Sequence, residues 1–269
     1  MKTISILIAA WRAQDWLADC LNAVFAQVLP EGWRMQVLLG IDGCEETLKW
    51  LQGQHYPQLE AVYLKQNQGT YVTFNTLMRY AQGELICRFD ADDVMQSGYL
   101  AAHIRASEAG ADMSMSWSIY TDAKLKPTSH VMAHKVYHPE NGLNRRGAEG
   151  QFVIRRAVWQ QLGGFRPWRC GADTDFFKRV RFSGFSHCVI EAFLYLRRTH
   201  ANSLTVDAAT NFDSPLRLAI QKRVARYHQQ YEAGVRKLKI RAAWAKEHER
   251  LNGAFGTALL ERRNLNDAL

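Results

Sequence analysis

Nine residues, Leu85-Ile86-Cys87-Arg88-Phe89-Asp90-Ala91-Asp92-Asp93, constrain this chain more than any other stretch. The first half is largely apolar and alternates, which predicts a buried strand led in by Glu84. The second half sets three carboxylates within four residues, where that strand ends. Carboxylates so close repel one another, and stacking them is costly unless a cation sits among them. A hard divalent ion, Mg²⁺ or Mn²⁺, held by oxygen ligands and bridging a diphosphate, suits such a place. A solvated acidic turn is the competing reading, because Asp favours turns and helix starts.

The chain has 269 residues, enough for one substantial core with an appendage. An apolar share of 47% with eight Trp, ten Tyr and twelve Phe excludes a disordered chain. No apolar run approaches the ~20 residues that a spanning helix needs. Residues 1–10 are apolar and could pass for a weak signal peptide, but their strand-forming side chains favour a buried first strand. The expectation is a cytoplasmic protein. Cys20, Cys44, Cys87, Cys170 and Cys188 are scattered, odd in number and form no CxxC pair, which argues against disulfides and zinc. A formal net charge of +8 implies an anionic partner without choosing among nucleotide, phospholipid surface and nucleic acid.

In chain order, strands are expected at Thr3–Ala10, Met35–Ile41, Glu60–Lys65 and 85–89, with helices at Asp15–Gln27, Glu46–Gln54 and Thr70–Ala81 between them. Such alternation predicts a doubly wound, mostly parallel α/β sheet. Ligands bind such sheets beyond the carboxyl ends of the strands, where Trp11-Arg12, Asp42, Asn67-Gln68-Gly69 and the Asp90 cluster all fall. No GxGxxG follows the first strand and no GxxxxGK[ST] occurs, which disfavours a dinucleotide dehydrogenase or a P-loop NTPase.

Further on, Gln96–Ala109 is expected to be helical and Asp112–Tyr120 a strand. The segment 121–147 has weak periodicity and holds His130, His134 and His138, which are read as surface or acceptor-side residues rather than a metal face. Asp173 and Asp175 open a helix just after the aromatic loop of Trp168 and Arg169. They are either caps or a base aimed into a pocket. From Pro215 to Arg250 apolar residues recur every three or four positions among Arg and Lys. This predicts a basic amphipathic helix or helix pair broken at Gly234. A solvated appended helix and a contact with an anionic membrane surface both fit it.

Together these residues resemble the family-2 inverting glycosyltransferases, over about the first 205 positions. Ser5–Arg12 stands where the family has a strand closing on Pro-Thr-Tyr-Asn, and Ile41-Asp42-Gly43-Cys44 where it has Asp-Asp-Gly-Ser. Asn67-Gln68-Gly69 with Asn75 fits its Asn-x-Gly segment, and Arg88–Asp93 its DxD motif. Gly163-Gly164-Phe165 and Ala172–Phe176 look like Gly-Gly-Phe and Glu-Asp-x-Asp-Leu, and Arg198–Ser203 like Arg-x-His-x-x-Ser. The departures are Ala9 for Pro, Arg12 for Asn, Ile41 for one Asp and Ala172 for the acid before Asp173.

The resemblance implies a GT-A fold over residues 1–210, with a nucleotide-sugar half (1–95) and an acceptor half (96–210), followed by a basic helical extension over 211–269. It implies transfer from a nucleotide-sugar, a UDP-sugar first, to an acceptor hydroxyl; the basic helices and the middle segment fit a transferase that builds a bacterial surface polysaccharide or a lipid-linked glycan. Donor contacts would come from Ala9, Trp11, Asp42, Asn67, Gly69, Asn75, Arg88, Asp90 and Ala91. Asp92, His200 and Asp90 would hold Mn²⁺ or Mg²⁺, and Asp173 would be the general base. Trp168, Arg169 and Asp175 would face the acceptor. A nucleotidyltransferase and a non-catalytic binder of anionic surfaces or nucleic acid are the other classes; nucleic acid is the disfavoured partner, and a peripheral place on the inner membrane face is compatible.

Overall fold

The computed structural model of the protein describes residues 1–128 and 150–251, with the backbone of 137–138 and 143–144. Its strands are β1 (Lys2–Ala10), β2 (Trp33–Asp42), β3 (Leu59–Leu64), β4 (Leu85–Asp90), β5 (Val94–Met95), β6 (Met113–Thr121), β7 (Tyr137–His138), β8 (Leu143–Asn144), β9 (Phe152–Arg155), β10 (His187–Arg198) and β11 (His248–Leu251). The helices are α1 (Leu17–Phe25), α2 (Glu45–Gln52), α3 (Thr70–Leu77), α4 (Tyr99–Glu108), α5 (Arg156–Leu162), α6 (Ala172–Phe182) and α7 (Pro215–Glu232).

One sheet runs in the order β11-β3-β2-β1-β4-β9-β6-β10-β5, with β8 also pairing β6 and β7 pairing β8. Strands β3, β2, β1 and β4 are parallel, and β6 and β10 are parallel to each other. Between β4 and β6 lies β9, antiparallel to both, so β6 runs in the direction of β4. The carboxyl ends of β1, β2, β3, β4, β6 and β10 therefore share one edge.

The alternation along β1 sets the layers, because successive side chains point to opposite faces. Ile4, Ile6, Ile8 and Ala10 join the cluster that includes Leu17, Leu21 and Val24 of α1 and Leu51 of α2. Leu7 joins the opposite cluster with Phe74 and Leu77 of α3, Trp159 of α5 and Phe176 of α6. The sheet is thus buried on both faces, as a doubly wound α/β protein requires.

The expected basic helix begins as predicted, with Pro215 in its first turn and the Ser214 hydroxyl accepting from the Arg217 N–H. It ends before Gly234 (φ +68°), and no second helix follows among the described residues. Residues 235–247 instead cross α5 and α3 as an irregular strap. Ile240 N–H donates to Leu162 O, and Ala245 N–H to Thr76 Oγ1. The chain then becomes β11, antiparallel on the β3 edge. Packing of Ala245, which is wholly buried, outweighs the helical periodicity there. His130 and His134 lie outside the described residues, and His138 is described only by its backbone in β7.

Candidate active site

The shared strand edge is where the acidic residues gather. Asp42 ends β2 and Asp90 ends β4, on either side of β1, where Ala9 pairs with both Gly40 and Asp90. At a strand spacing of about 4.8 Å, this sets the two ends roughly 10 Å apart.

Asp42 is 2% exposed. Its carboxylate accepts from the N–H groups of Gln68 and Gly69 at 2.8 Å each and from Asn67 Nδ2 at 3.1 Å. Burial pushes its pKa up, against the pull of those backbone donors and of the Arg169 charge. Asp42 therefore organises the Asn67–Gly69 loop. Gly43 makes this approach feasible: its φ is +62°, and a Cβ there would lie 2.3 Å from Asn67 N and 2.4 Å from Gln66 C. Just after β1 Trp11 stands 44% exposed, with the Arg12 guanidinium 4.5 Å from its ring centre and the Arg12 N–H donating to Cys44 Sγ at 3.4 Å.

After β4 the chain turns back through Asp92 and Asp93 into β5. Arg88 is 3% exposed and ion-paired to Asp90 at 2.7 Å, and it also donates to Gly150 O. It is thus a buried counter-charge beneath the site rather than an exposed donor contact. Gln151, which nothing in the motif pattern singled out, sits at the centre. Its Nε2 donates to Asp90 Oδ2 at 3.0 Å and to Asp93 Oδ2 at 2.5 Å, while its Oε1 accepts from Asp90 N–H at 3.2 Å. Burial raises the Asp90 pKa against the attraction of Arg88; it raises that of Asp93 well above the usual range, and the charges of Asp92 and Asp90 add to the effect. Ala91 is buried between these acids.

Asp92 turns the other way. Its Oδ2 lies 3.0 Å from His200 Nε2, with the two side chains 27% and 10% exposed. The His200 ring packs against Trp16 at 5.0 Å. Arg198 fastens this corner by donating to Asp92 O, Ala123 O and Asp19 Oδ2 and by stacking 4.7 Å over Trp16. Among the described residues no group of three or more His, Cys, Asp or Glu side chains is arranged to hold a metal ion. Asp90, expected as a third ligand, is committed to Arg88 and Gln151. What remains is the Asp92–His200 pair. That fits Mg²⁺ or Mn²⁺ of the kind bound through one or two protein ligands with the rest supplied by water and phosphate oxygens.

Asp173 approaches from the opposite lip, in the first turn of α6. One oxygen accepts from the Thr174 N–H at 2.8 Å. The other lies 3.5 Å from where a Gly150 Cβ would stand, the Tyr71 hydroxyl hydrogen-bonds to the carboxylate, and the Arg88 charge is close by. One guanidinium thus lies between Asp90 on the sheet edge and Asp173 on the helix.

Besides Arg88 and Asp90, three expected positions are placed elsewhere: Asn75, Asp175 and Arg169. Asn75 does not face the edge: it donates to Phe165 O and Ala243 O, both at 2.9 Å, and accepts from Phe165 N–H at 2.9 Å, clamping the C-terminal strap to α3. Asp175 is fully buried among Arg166 (3.0 Å), Arg179 (2.8 Å) and the Tyr231 hydroxyl (3.0 Å), so its carboxylate is not open to a ligand. Arg169 reaches across to Asn67, donating to its side chain and, at 3.4 Å, to its carbonyl; it sits on the Asp42 side. Trp168 is half-buried over Cys170, Ile220 and Val224, with Arg166 and Arg223 against its ring.

The sequence model of the family described as Glycosyl transferase family 2 matches residues 5–177. No curated protein matches the chain. Among solved structures, S. aureus TarS 1-349 in complex with UDP superimposes with a TM-score of 0.56 at 16% identity, over 87% of this chain and 72% of that one. S. aureus TarS 1-349 in complex with UDP-GlcNAc gives 0.57 at 13% identity, over 87% and 73%. The mannosyltransferase PcManGT from Pyrobaculum calidifontis, in complex with GDP-Man and Mn2+, gives 0.57 at 14% identity, over 86% and 69%. At these identities the likeness is one of fold.

Proposed function

Taking as premise that the chain belongs to glycosyl transferase family 2, we propose that it moves a sugar from a nucleotide-sugar, a UDP-sugar first, to an acceptor hydroxyl with inversion at the anomeric carbon. The observation that supports this most is the meeting of Asp173 with the acidic end of β4 through Arg88. A proton acceptor and a diphosphate-binding edge then flank one space. The complexes of TarS with UDP and UDP-GlcNAc and of PcManGT with GDP-Man and Mn2+ support a nucleotide-sugar donor and a divalent metal.

In this reading the nucleobase lies by Asp42, Asn67 and Gly69, with Trp11 against it, and Ala9 and Ala91 line the floor. Asp92 and His200 would hold the divalent ion, which when bound neutralises charge on the departing diphosphate. Asp173 takes the proton of the acceptor hydroxyl as the new oxygen–carbon bond forms and the bond to the diphosphate breaks, a contribution of typically ~10²–10⁴-fold. Arg88 and Tyr71 hold that carboxylate in place. The acceptor is a glycan or a lipid-linked sugar, approaching past Trp168.

Thermal shift against a nucleotide-sugar panel, with and without Mn²⁺, tests the donor site, since a ligand of the native state stabilises it by mass action. Asp173→Asn is expected to keep the donor shift and lose transfer. Persistent transfer would remove Asp173 as the base, and the absence of any nucleotide shift would remove the donor site.

A further inference from the structure

The segment that joins His200 to α7 leaves apolar side chains in water. Leu204, Val206, Leu216 and Leu218 are each 42–44% exposed, although the apolar stripe of α7 is otherwise buried. Ile220, Val224 and Tyr231 of that helix pack inward, against Cys170 and α6. Leu218, Lys222 and Arg226 follow at four-residue steps and share the opposite, outward face. Lys222 and Arg226 are exposed there, Arg223 turns to the Trp168 ring, and the acids of the segment, Asp207 and Asp213, are exposed in the turns before the helix.

Leu216, four residues before Ile220, lies on the packed side of the helix, so the ledge is Leu204 and Val206 of the loop with Leu218, Lys222 and Arg226 of the helix. Arg217 ties the helix to the preceding loop by donating to Leu204 O at 2.9 Å and to Thr210 O. The ledge also adjoins the proposed site on both sides. Its loop leaves the turn in which Ser203 Oγ accepts from the His200 N–H at 3.1 Å. Its helix sets Ile220 beneath Gly171, the residue before α6, where a Cβ would meet Ile220 Cγ2 at 3.2 Å. Apolar side chains rimmed by Lys and Arg are what an anionic bilayer surface accommodates: the leucines enter the headgroup–acyl boundary and the cations meet lipid phosphates.

We propose that this ledge, residues 204–226, docks the protein on an anionic phospholipid bilayer. The docked orientation sets the His200 and Asp173 lips beside the lipid surface; that it thereby meets a lipid-linked acceptor rests on the glycosyl-transfer reading, while docking itself does not. The periodic apolar residues of α7 are mostly spent on α6, so attachment depends on Leu204, Val206 and Leu218 and not on a whole amphipathic helix lying in the interface.

Co-sedimentation of the full chain with phosphatidylcholine vesicles, with and without phosphatidylglycerol, tests it. Binding is expected only to the phosphatidylglycerol vesicles and to weaken with salt. Leu204→Ser with Leu218→Ser is expected to lower partitioning at least about tenfold at low salt, since each loses the burial of a large apolar side chain. Lys222→Glu with Arg226→Glu is expected to erase the preference for the anionic vesicles. All four positions are exposed, so the nucleotide-induced thermal shift should survive in both variants. No binding by the unaltered protein overturns the proposal. Binding that survives the leucine changes, or that duplex DNA competes away equally in both proteins, also overturns it, leaving only general attraction to polyanions.

Discussion

Asp175→Asn separates a structural carboxylate from an acceptor-binding one. Asp175 is wholly buried, and so is Arg179, whose Nε is 2.8 Å away. Arg179 also donates to Leu162 O at 2.9 Å and Gly164 O at 2.6 Å, so this one cation ties α6 to the end of α5 and the loop after it. Arg166 and the Tyr231 hydroxyl complete the shell, which joins α6 to α7. Removing the negative charge while keeping the volume leaves a buried guanidinium without its counter-ion. Breaking a buried pair from one side costs about 3–5 kcal/mol. At about 2–4 °C per kcal/mol for a domain of this size, the melting temperature should fall by about 6–20 °C. Scanning calorimetry and urea unfolding should agree on the loss. The double variant Asp175→Leu with Arg179→Met removes the fully buried pair and should recover part of it, because such a pair replaced by apolar residues is often neutral, while Arg166 still loses its partner. An Asp175→Asn protein that melts within a degree or two of the parent, yet needs far more acceptor to saturate, would refute this assignment.

Gly43→Ala should unseat the 66–69 loop, because the added Cβ meets backbone atoms at 2.3 and 2.4 Å; the expected result is loss of the nucleotide-induced thermal shift with the fold retained by circular dichroism. Gln151→Leu removes the amide that donates to both Asp90 and Asp93, and leaving a buried Asp93 oxygen without its donor should cost about 1–3 kcal/mol in urea unfolding; a stability unchanged by the substitution would show that the clamp contributes nothing. His103 is 0% exposed, with Nδ1 2.8 Å from Ser114 Oγ, and burial pushes its pKa down to about 3. Between that value and the unfolded value near 6.5 the unfolded chain binds more protons, so stability falls as the pH drops below about 6.5, by about 1.4 kcal/mol per unit at most. His103→Leu should flatten that slope in melting temperature measured from pH 7 to pH 5.

How much of this site could be seen in the chain depends on what each position had to satisfy. The strand ends were legible because burial on both faces forces near-continuous apolar runs, and any polar residue that stops such a run lies at an edge; Asp42 and Asp90 do so. Gln151 was not legible, since a lone Gln before a short strand carries no period and its partners are 61 and 58 residues away. The strap ending in β11 was hidden for a related reason. Its alternating small apolar residues fit a helix as well as a covering segment, and only the edge of β3 decides. Asp175 is different, because helix geometry bears on its place. Residues two apart on a helix point about 200° apart, at 3.6 residues per turn, so Asp173 and Asp175 cannot both face one pocket. A fixed partner also stood in view: Arg179 lies four residues on, one turn away on the face of Asp175. Spacing therefore pairs Asp175 with Arg179 and turns Asp173 to the other side of α6; the structure shows that the pair is the buried side and that Tyr71 and Arg88 meet Asp173.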